Sequence, residues 1–272
     1  MNREIIYDLP DEEYHKLKRF SSSGIKKLLV SSQDFWYSSW MNPNKKEKQS
    51  DTFNEGKAYH SRILEGYDKF SQRYAVKPEC DRRTNEGKAI YKAWKEEFPI
   101  AQEVEQETFD EINNTVKRVE QFDVFKDGRP EVTVLWEDDE TGVPMKARLD
   151  YTKPGITEDL KTFSNSGGDN IEWLLARHIV NYDYHVQVAT YDEAAPDHEF
   201  VFVFVQTGGP CNIIIKPFPK DLLLFSKGKE IMRRGINKFA ENYRKFGTDP
   251  WSDDFGIKPF TDDSFPLHAY EA

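Results

Sequence analysis

The sequence is poor in cysteine and has no long apolar run. Its two cysteines, Cys80 and Cys211, cannot build a disulfide framework or supply the four thiolates of an iron–sulfur cluster. No stretch approaches the ~20 apolar residues that a membrane helix needs, and the first residues lack the basic-then-apolar pattern of a signal peptide. We therefore expect a cytoplasmic protein without a membrane span or an iron–sulfur cluster.

Motifs that define several other classes of enzyme are also missing. The sequence contains no glycine-rich phosphate loop, no nucleophile elbow and no CxxC metal site. We therefore expect no nucleotide cofactor. Any mechanism driven by ATP hydrolysis would need a second protein.

Basic residues are outnumbered by acidic ones, with 38 Lys and Arg against 48 Asp and Glu and a net charge of −10. This balance is unusual for a DNA-binding protein, because affinity for DNA comes largely from Lys and Arg against phosphate. The charge is uneven, however: residues 95–141 and the tail from Asp249 are acid-rich, whereas residues 16–27 and 216–245 are basic. Local patches govern binding more than net charge does. The basic run at 216–245 is either a DNA-binding surface or a solvated helix face.

The residues that are present suit a globular protein, since 38% are hydrophobic and 14% aromatic. Apolar spacing of three to four predicts helices, and alternation predicts strands. The predicted helices run from near Gly24 to the break at Asn42-Pro43, then Thr52–Gly66, Thr84–Phe98, Gln106–Phe125, Ile171–Val180, Tyr184–Ala195 and Lys220–Phe246. The predicted strands are Glu131–Glu137, Val143–Tyr151, Ile156–Phe163, Phe200–Val205 and Asn212–Lys216.

These elements predict an α/β (α+β) fold, in an order that is compatible with a mixed central sheet flanked by helices. The uninterrupted apolar run at 200–205 is typical of a strand that is covered on both faces. Without repeats or a low-complexity linker, we expect one domain over residues 1–272. It would comprise a helical part at about 1–128, a β-sheet core at about 129–217, and a C-terminal helix with an acidic tail at 218–272.

Two neighbouring predicted strands carry the most informative charged residues. Asp159 and Lys161 lie two residues apart and so share a face of their strand, and Asp150 can join them from the strand before. Such a group is costly to desolvate unless a divalent cation binds the carboxylates and the lysine meets an anion. Metal-assisted phosphodiester cleavage uses these groups. The alternative is an exposed sheet face with an ion pair.

The neighbours of these residues leave two alternatives open. Glu158 is a competing carboxylate: alternation with Lys161 favours Asp159, but a β-bulge would exchange the two. Arg148 shares its strand face with Asp150, and either clamps a phosphate or pairs with Asp150.

Four motifs follow one another along the chain: Gly56-x-x-x-His60, Asp150, Asp159-x-Lys161 and Gln187-x-x-x-Tyr191. In this order they resemble the RecB-like branch of the PDDEXK nucleases, and within it the phage and prophage exonucleases of the RecE type (exodeoxyribonuclease VIII). The motifs span residues 56–191. The strand that opens with Glu131 and the segment Phe20–Ile25 also resemble the family.

The resemblance implies the PDDEXK, restriction-endonuclease-like core, which is a mixed central β-sheet flanked by helices, and a metal centre. Asp150, Asp159 and the backbone carbonyl of Leu160 would bind Mg²⁺, for which Mn²⁺ would substitute. His60 would complete the shell, although a histidine on an apolar helix can equally be a packed residue that donates to a carbonyl. Glu131 is a possible additional carboxylate at the metal or at the attacking water.

The resemblance also implies catalytic and DNA-binding roles. Lys161 would orient or deprotonate the attacking water and stabilise the transition state. Gln187 and Tyr191, which share a helix face, would contact DNA or support the metal shell, or else form a polar pair in the core.

Further DNA contacts are expected from Arg148 and from the helix start that carries Ser23, Lys26 and Lys27. Backbone N–H groups there could bind a phosphate, or the Ser21–Ser23 cluster could serve only as a cap.

The function implied is a Mg²⁺-dependent exonuclease that degrades the 5′-ended strand of linear duplex DNA and leaves 3′ single-stranded tails for annealing-type recombination. Its partners would be DNA ends and a RecT-like single-strand annealing protein. It would form a ring-like homo-oligomer and be encoded by a phage or prophage of a bacterial host. The alternatives are a nuclease of other polarity or substrate, such as single strands or flaps, a non-catalytic DNA-binding module, and a phage inhibitor of a host nuclease.

Overall fold

The computed structural model describes residues 2–45 and 54–253. Its strands are β1 (Arg3–Ile6), β2 (Tyr74–Val76), β3 (Gln102–Val104), β4 (Arg129–Glu137), β5 (Pro144–Lys153), β6 (Ile156–Phe163), β7 (Glu199–Gln206) and β8 (Ile213–Pro217). Its α-helices are α1 (Asp11–Lys16), α2 (Ser22–Val30), α3 (Ser32–Ser38), α4 (Glu55–His60), α5 (Tyr67–Arg73), α6 (Asn85–Glu97), α7 (Gln106–Val119), α8 (Ile171–Asn181), α9 (Tyr184–Ala194) and α10 (Leu223–Phe246). A π-helical segment, Ser61–Glu65, continues α4. No helix in this part of the chain has the length and apolar character to cross a membrane.

Six of the strands form one sheet in the order β1-β4-β5-β6-β7-β8. β6 and β7 are parallel and the other neighbours are antiparallel, so the predicted mixed sheet is confirmed. Strand β7 is covered on both faces, as its apolar sequence predicts. Phe202 and Phe204 point into the larger core, with α2, α9 and α10, whereas Val203 and Val205 point into a second core beneath α7.

The pairing of β4, β5 and β6 brings their acidic residues together. Glu131 stands opposite Asp150, because the residues on either side of it pair in antiparallel register. Between β5 and β6, backbone pairing runs only from Lys153–Ile156 to Tyr151–Glu158 in the described strands. Beyond that point the N–H of Leu160 donates to Oδ2 of Asp150 at 2.9 Å, so a side chain replaces the backbone acceptor.

The predicted helix that begins near Gly24 is two helices. Ser31 ends α2 and begins α3 in an extended conformation, and its Oγ accepts a hydrogen bond from the N–H of Asp34 at 3.1 Å. This N-cap bond satisfies a donor that a continuous helix would bond internally, which explains the break. The predicted helix at 106–125 ends earlier, at Val119, and the residues after it turn away, with Gln121 and Phe122 donating to the carbonyls of Arg118 and Val119. Phe125 then takes a left-handed conformation and donates its N–H to Glu158.

Several short elements escape the sequence patterns, namely β1, α1, α5, β2 and β3. Each is too short to show a period, and residues 1–20 are polar and mixed. The start of the predicted helix at 52–66 lies outside the described residues, as do most of the predicted loop at 45–50 and the acidic tail beyond 253. Where described, that helix begins at Glu55, with the side chain of Asn54 accepting from the N–H of Lys57.

Helix α10 packs closely against α9 at Gly228. A Cβ on Gly228 would lie 2.3 Å from the backbone oxygen of His185 on α9. Because that atom is backbone, the two helices would have to separate for a side chain to fit.

Gly228→Ala should therefore lower the free energy of unfolding by about 1–3 kcal/mol, although alanine ordinarily favours a helix interior over glycine. Urea denaturation measures the change. Gly167→Ala is the control, since a Cβ there has open space around it. Unchanged or increased stability of Gly228→Ala would contradict the close packing of α9 and α10.

Candidate active site

Asp150, Asp159 and Lys161 converge where β5 and β6 part. Asp159 is fully buried, and its Oδ2 contacts the ammonium of Lys161. Asp150 accepts the backbone N–H of Leu160, which lies between the other two residues on β6. The structure therefore brings together the three charged residues that the strand pattern grouped.

Glu158, the competing carboxylate, lies on the opposite face of β6. It pairs with Nζ of Lys153 at 2.7 Å and accepts the N–H of Phe125 at 2.6 Å. Regular alternation is kept through β6, without a bulge, so Asp159 and not Glu158 shares the face of Lys161.

His60 reaches the carboxylates from the junction of α4 with the π-helical segment. Its Nδ1 lies 3.8 Å from Oδ2 of Asp150. One ligand atom from each of His60, Glu131 and Asp150 lies within 4.8 Å of the others. Gly56, one turn earlier, lies against β6: a Cβ there would be 3.4 Å from Oγ1 of Thr162. That distance is an ordinary van der Waals contact, so Gly56 lies beside the strand that carries Asp159 and Lys161, but the close packing expected of the glycine does not require it.

The three carboxyl groups of the site have raised pKa values, which means that their ionisation is unfavourable in the folded protein. Burial raises the pKa of Asp159 to about 6 despite the attraction of Lys161. Burial likewise raises the pKa of Asp150. Burial, with the charge of Asp150 added, raises the pKa of Glu131 to about 8. A raised pKa means that the surroundings of the carboxyl group disfavour its negatively charged form.

The pKa values of the two basic groups, His60 and Lys161, shift in opposite directions. Burial and the charge of Lys161 lower the pKa of His60 to about 4, so its imidazole is neutral at pH 7 and a ring nitrogen can bind a metal. Burial also acts to lower the pKa of Lys161, but the carboxylates of Asp159 and Asp150 outweigh it and the pKa is raised. Lys161 is therefore an ammonium at neutral pH in this structure.

Gln187 and Tyr191 brace Asp159 against β5. Nε2 of Gln187 donates to Oδ1 of Asp159 at 3.0 Å and also lies 2.8 Å from the hydroxyl of Tyr191. That hydroxyl donates to the backbone oxygen of Arg148 at 2.6 Å. The pair is thus both a buried polar pair and a support for a site carboxylate, so the two interpretations of the sequence do not exclude each other.

Arg148 pairs with Asp11 rather than with Asp150. Its Nη1 lies 2.9 Å from Oδ1 of Asp11, its guanidinium lies 4.1 Å from the ring centre of Tyr14, and its Nε lies 3.7 Å from Glu131. These contacts hold the N-terminal segment over the site and occupy the groups that would clamp a phosphate. Sequence reasoning missed this segment because nothing in its polar pattern marks Asp11 or Tyr14 as neighbours of β5.

The residues expected to bind DNA are divided by the structure. Lys26 lies towards the site: its Nζ is 5.7 Å from the ring centre of Tyr184, and Nζ of Lys161 is 4.8 Å from the same ring. Lys27 donates instead to Oγ of Ser38 at 2.9 Å. The hydroxyl of Ser23 bonds to that of Ser21, which begins α2 without a side-chain cap bond.

Six of the nine basic residues in the run at 216–245 form ion pairs within the described part of the protein. The pairs are Lys216–Glu172 and Lys220–Asp192 before α10, and Lys227–Glu230, Lys229–Asp192, Arg233–Asp138 and Lys238–Asp253 on it. These pairs favour the interpretation of a solvated helix face over that of a DNA-binding surface.

The donor set fits a divalent cation. The imidazole of His60 and the carboxylates of Glu131 and Asp150 are close enough to share one ion, and hard oxygen donors with a neutral imidazole suit Mg²⁺ or Mn²⁺. Oδ2 of Asp159 is buried without a hydrogen-bond partner among the described residues, and it forms an ion pair with the ammonium of Lys161. A bound cation would favour the ionised carboxylates and so offset the burial that raises their pKa values.

Comparisons with known proteins agree with this fold. A family model described as a PDDEXK-like domain of unknown function, DUF3799, matches residues 21–247. A solved structure of a candidate exonuclease from Eubacterium rectale aligns over 93% of this chain and 96% of that chain, with 17% identity and a TM-score of 0.57. At that identity the likeness shows the fold alone. The structure of SSO0001 aligns over 57% of this chain and 67% of that one, with 14% identity and a TM-score of 0.31, too low to carry an argument. No curated protein matches the sequence.

Asp150→Asn should stabilise the cation-free protein and abolish its response to Mg²⁺. The raised pKa of Asp150 means that its ionisation costs folding free energy at pH 7, whereas asparagine can still accept the N–H of Leu160. We expect the free energy of unfolding without cation to rise by about 0.5–2 kcal/mol. Thermal unfolding with EDTA and with excess Mg²⁺ or Mn²⁺ measures both effects.

Wild type should gain stability from the cation, because a ligand that binds only the folded state stabilises it. Glu158→Gln is the matched control: it removes the neighbouring carboxylate on the other face and should keep the cation response. An equal cation response in Asp150→Asn and wild type would show that Asp150 is not a ligand.

Proposed function

The chain belongs to the PDDEXK-like family DUF3799, and on this premise we propose that it is a Mg²⁺-dependent exonuclease of double-stranded DNA. The observation that carries the proposal is the convergence of Asp150, Asp159 and Lys161 beside His60. A binding module has no use for carboxylates whose ionisation its own fold opposes. Hydrolysis of a phosphodiester uses such carboxylates to hold a cation and uses the lysine to meet the phosphate.

The residues would divide the work as follows. His60, Asp150, Asp159 and the backbone carbonyl of Leu160 would hold the cation, with Glu131 as a further carboxylate. When bound, the cation would polarise the phosphate and lower the pKa of a bound water. The other contributions come from the chain itself.

Lys161 is an ammonium held next to Asp159, which suits it to stabilise negative charge that develops on the phosphate oxygens. Gln187 and Tyr191 keep Asp159 aligned through their hydrogen-bond chain to the backbone of β5. Arg148 positions Glu131 and packs the N-terminal segment beside the site. Gln187, Tyr191 and Arg148 therefore hold the carboxylates in place, and no proton transfer is proposed for them.

The finer features of the proposal rest on the resemblance of the motifs to RecE-type exonucleases. They are digestion of the 5′-ended strand, a ring-like homo-oligomer, a RecT-like annealing partner, and a phage or prophage origin in a bacterial cytoplasm. The candidate exonuclease from Eubacterium rectale shares the fold at 17% identity, which makes an exonuclease activity compatible with the fold but supports none of these finer features. A sequence without ATPase motifs accords with digestion from an end that needs no motor.

Digestion of linear duplex DNA, labelled separately at its 5′ and 3′ ends, tests activity and polarity together. With Mg²⁺, wild type should release the 5′ label as small nucleotides and spare covalently closed circles. Lys161→Ala should lose about 10²–10³-fold in rate, because one preorganised charge on the transition state is worth that much. Glu158→Gln, on the opposite face of β6, should stay within about threefold of wild type.

Other outcomes would redirect the proposal. Release of the 3′ label first would reverse the polarity, and cleavage of closed circles would show an endonuclease. Equal loss in Glu158→Gln and Lys161→Ala would remove the special role of the Lys161 face. No cleavage by folded wild type with either Mg²⁺ or Mn²⁺ would contradict catalysis and leave a DNA-binding or nuclease-inhibiting protein.

A further inference from the structure

A row of aromatic rings leads from Lys161 to the protein surface. Nζ of Lys161 lies 4.8 Å from the ring centre of Tyr184. The ring of Tyr184 lies 5.6 Å from that of Tyr182, which lies 5.2 Å from that of His178. We call Tyr184, Tyr182 and His178 the aromatic track. Its middle member is open to solvent, since Tyr182 is 55% exposed.

The track is held rigidly at the corner between α8 and α9. Asp183, which separates the two tyrosines, takes a left-handed conformation with φ 51°, and the N–H of Tyr182 donates to the carbonyl of His178. On its inner side the ring of Tyr184 packs against Phe202 of β7 at 5.9 Å. The exposed ring of Tyr182 is therefore preorganised, so a ligand that stacks on it loses little conformational freedom of the protein.

A cation stands beside the track. Lys26 of α2 donates from Nζ to the carbonyl of Tyr182, and its ammonium lies 5.7 Å from the ring centre of Tyr184. Lys26 and Lys161 thus flank one ring. Burial lowers the pKa of Lys26, and the carboxylate of Asp183 is the strongest charge that acts to raise it. An anion near Tyr184 would meet two ammonium groups, one of them the lysine that the proposed reaction uses.

An exposed, fixed aromatic ring beside ammonium groups is the equipment of a single-stranded nucleic-acid site, where a base stacks on the ring and its phosphate meets the cation. A base inside a duplex already has neighbours on both faces and cannot stack on a protein side chain. We propose that Tyr182, supported by Tyr184 and Lys26, binds an unpaired nucleotide next to the phosphodiester that is cleaved. This inference rests on the proposed function and makes it more specific: the strand enters the site unpaired.

Stacking predicts that Tyr182 matters only when a base is present. With a strand of ordinary nucleotides, Tyr182→Ala should raise KM about 5- to 100-fold and leave kcat within about threefold, since one base–aromatic stack contributes that much. With abasic residues on both sides of the cleaved bond, the same variant should match wild type. Tyr182→Phe, which keeps the ring, should behave as wild type on both strands.

Tyr37→Ala is the matched control, because Tyr37 is an exposed tyrosine of α3 outside the track. It should leave the kinetics on both strands unchanged. If Tyr182→Ala and wild type have the same KM on ordinary strands, the inference is wrong. An equal loss on ordinary and abasic strands would also overturn it, since that result reports a structural effect of the substitution.

A binding measurement separates this inference from the proposed function. An oligonucleotide with 2-aminopurine at its end and uncleavable linkages beside it is titrated in Mg²⁺ with wild-type protein and with Tyr182→Ala, so that the candidate cation site stays intact. Stacking should quench the fluorescence, and Tyr182→Ala should weaken binding about 5- to 100-fold. If wild type cleaves no DNA but this quenching depends on Tyr182, the nuclease proposal fails while the nucleotide site stands. If wild type cleaves DNA but the quenching is the same in both proteins, only the nucleotide site fails.

Discussion

The burial of two carboxylates beside each other is the constraint on which the candidate site depends. Asp159 is fully buried, and its pKa rises to about 6 even with the ammonium of Lys161 in contact. Such burial is costly unless each charge is compensated. The surrounding groups compensate it in part: Gln187 donates to Asp159, and the N–H of Leu160 donates to Asp150. What remains uncompensated is negative, which is why the arrangement favours a cation.

The position of these carboxylates depends on strand β6, which is fully paired with β7 on one side and only partly paired with β5 on the other. β6 pairs with β7 along its whole length, from Ile156 to Phe163, which fixes Asp159 and Lys161. On its other side, β6 separates from β5 near Asp150. The N–H of Leu160, which has no backbone partner on β5, donates a hydrogen bond to the carboxylate of Asp150. An ideal continuous sheet would use that N–H in the ladder and would leave no room beside Asp150. The departure of the strands is therefore part of the site.

Short-range periodicity explains which features the sequence predicted. Alternation along β6 was enough to place Asp159 with Lys161, and helical spacing was enough to place Gln187 with Tyr191. The mixed sheet was implied by the resemblance of the motifs, and the order of helices and strands was compatible with it. Features that depend on distant partners could not be predicted: Arg148 pairs with Asp11, 137 residues away, from a segment without apolar periodicity. The left-handed backbone of Glu131 and the π-helical turn after His60 likewise have no signature in a single sequence.

The distribution of ion pairs explains how a chain with a net negative charge could bind DNA. Several basic residues of α10 form ion pairs with carboxylates of the protein itself, among them Asp138, Asp192 and Asp253. Because these cations are paired, they contribute little attraction to a phosphate. Near the site, Lys26 and Lys161 face at least as many carboxylates. Phosphate attraction there must then depend on a bound cation, because only a cation reverses the local sign of charge. If the protein is the nuclease proposed, metal binding and DNA binding are coupled, and the net charge of −10 is compatible with a DNA substrate.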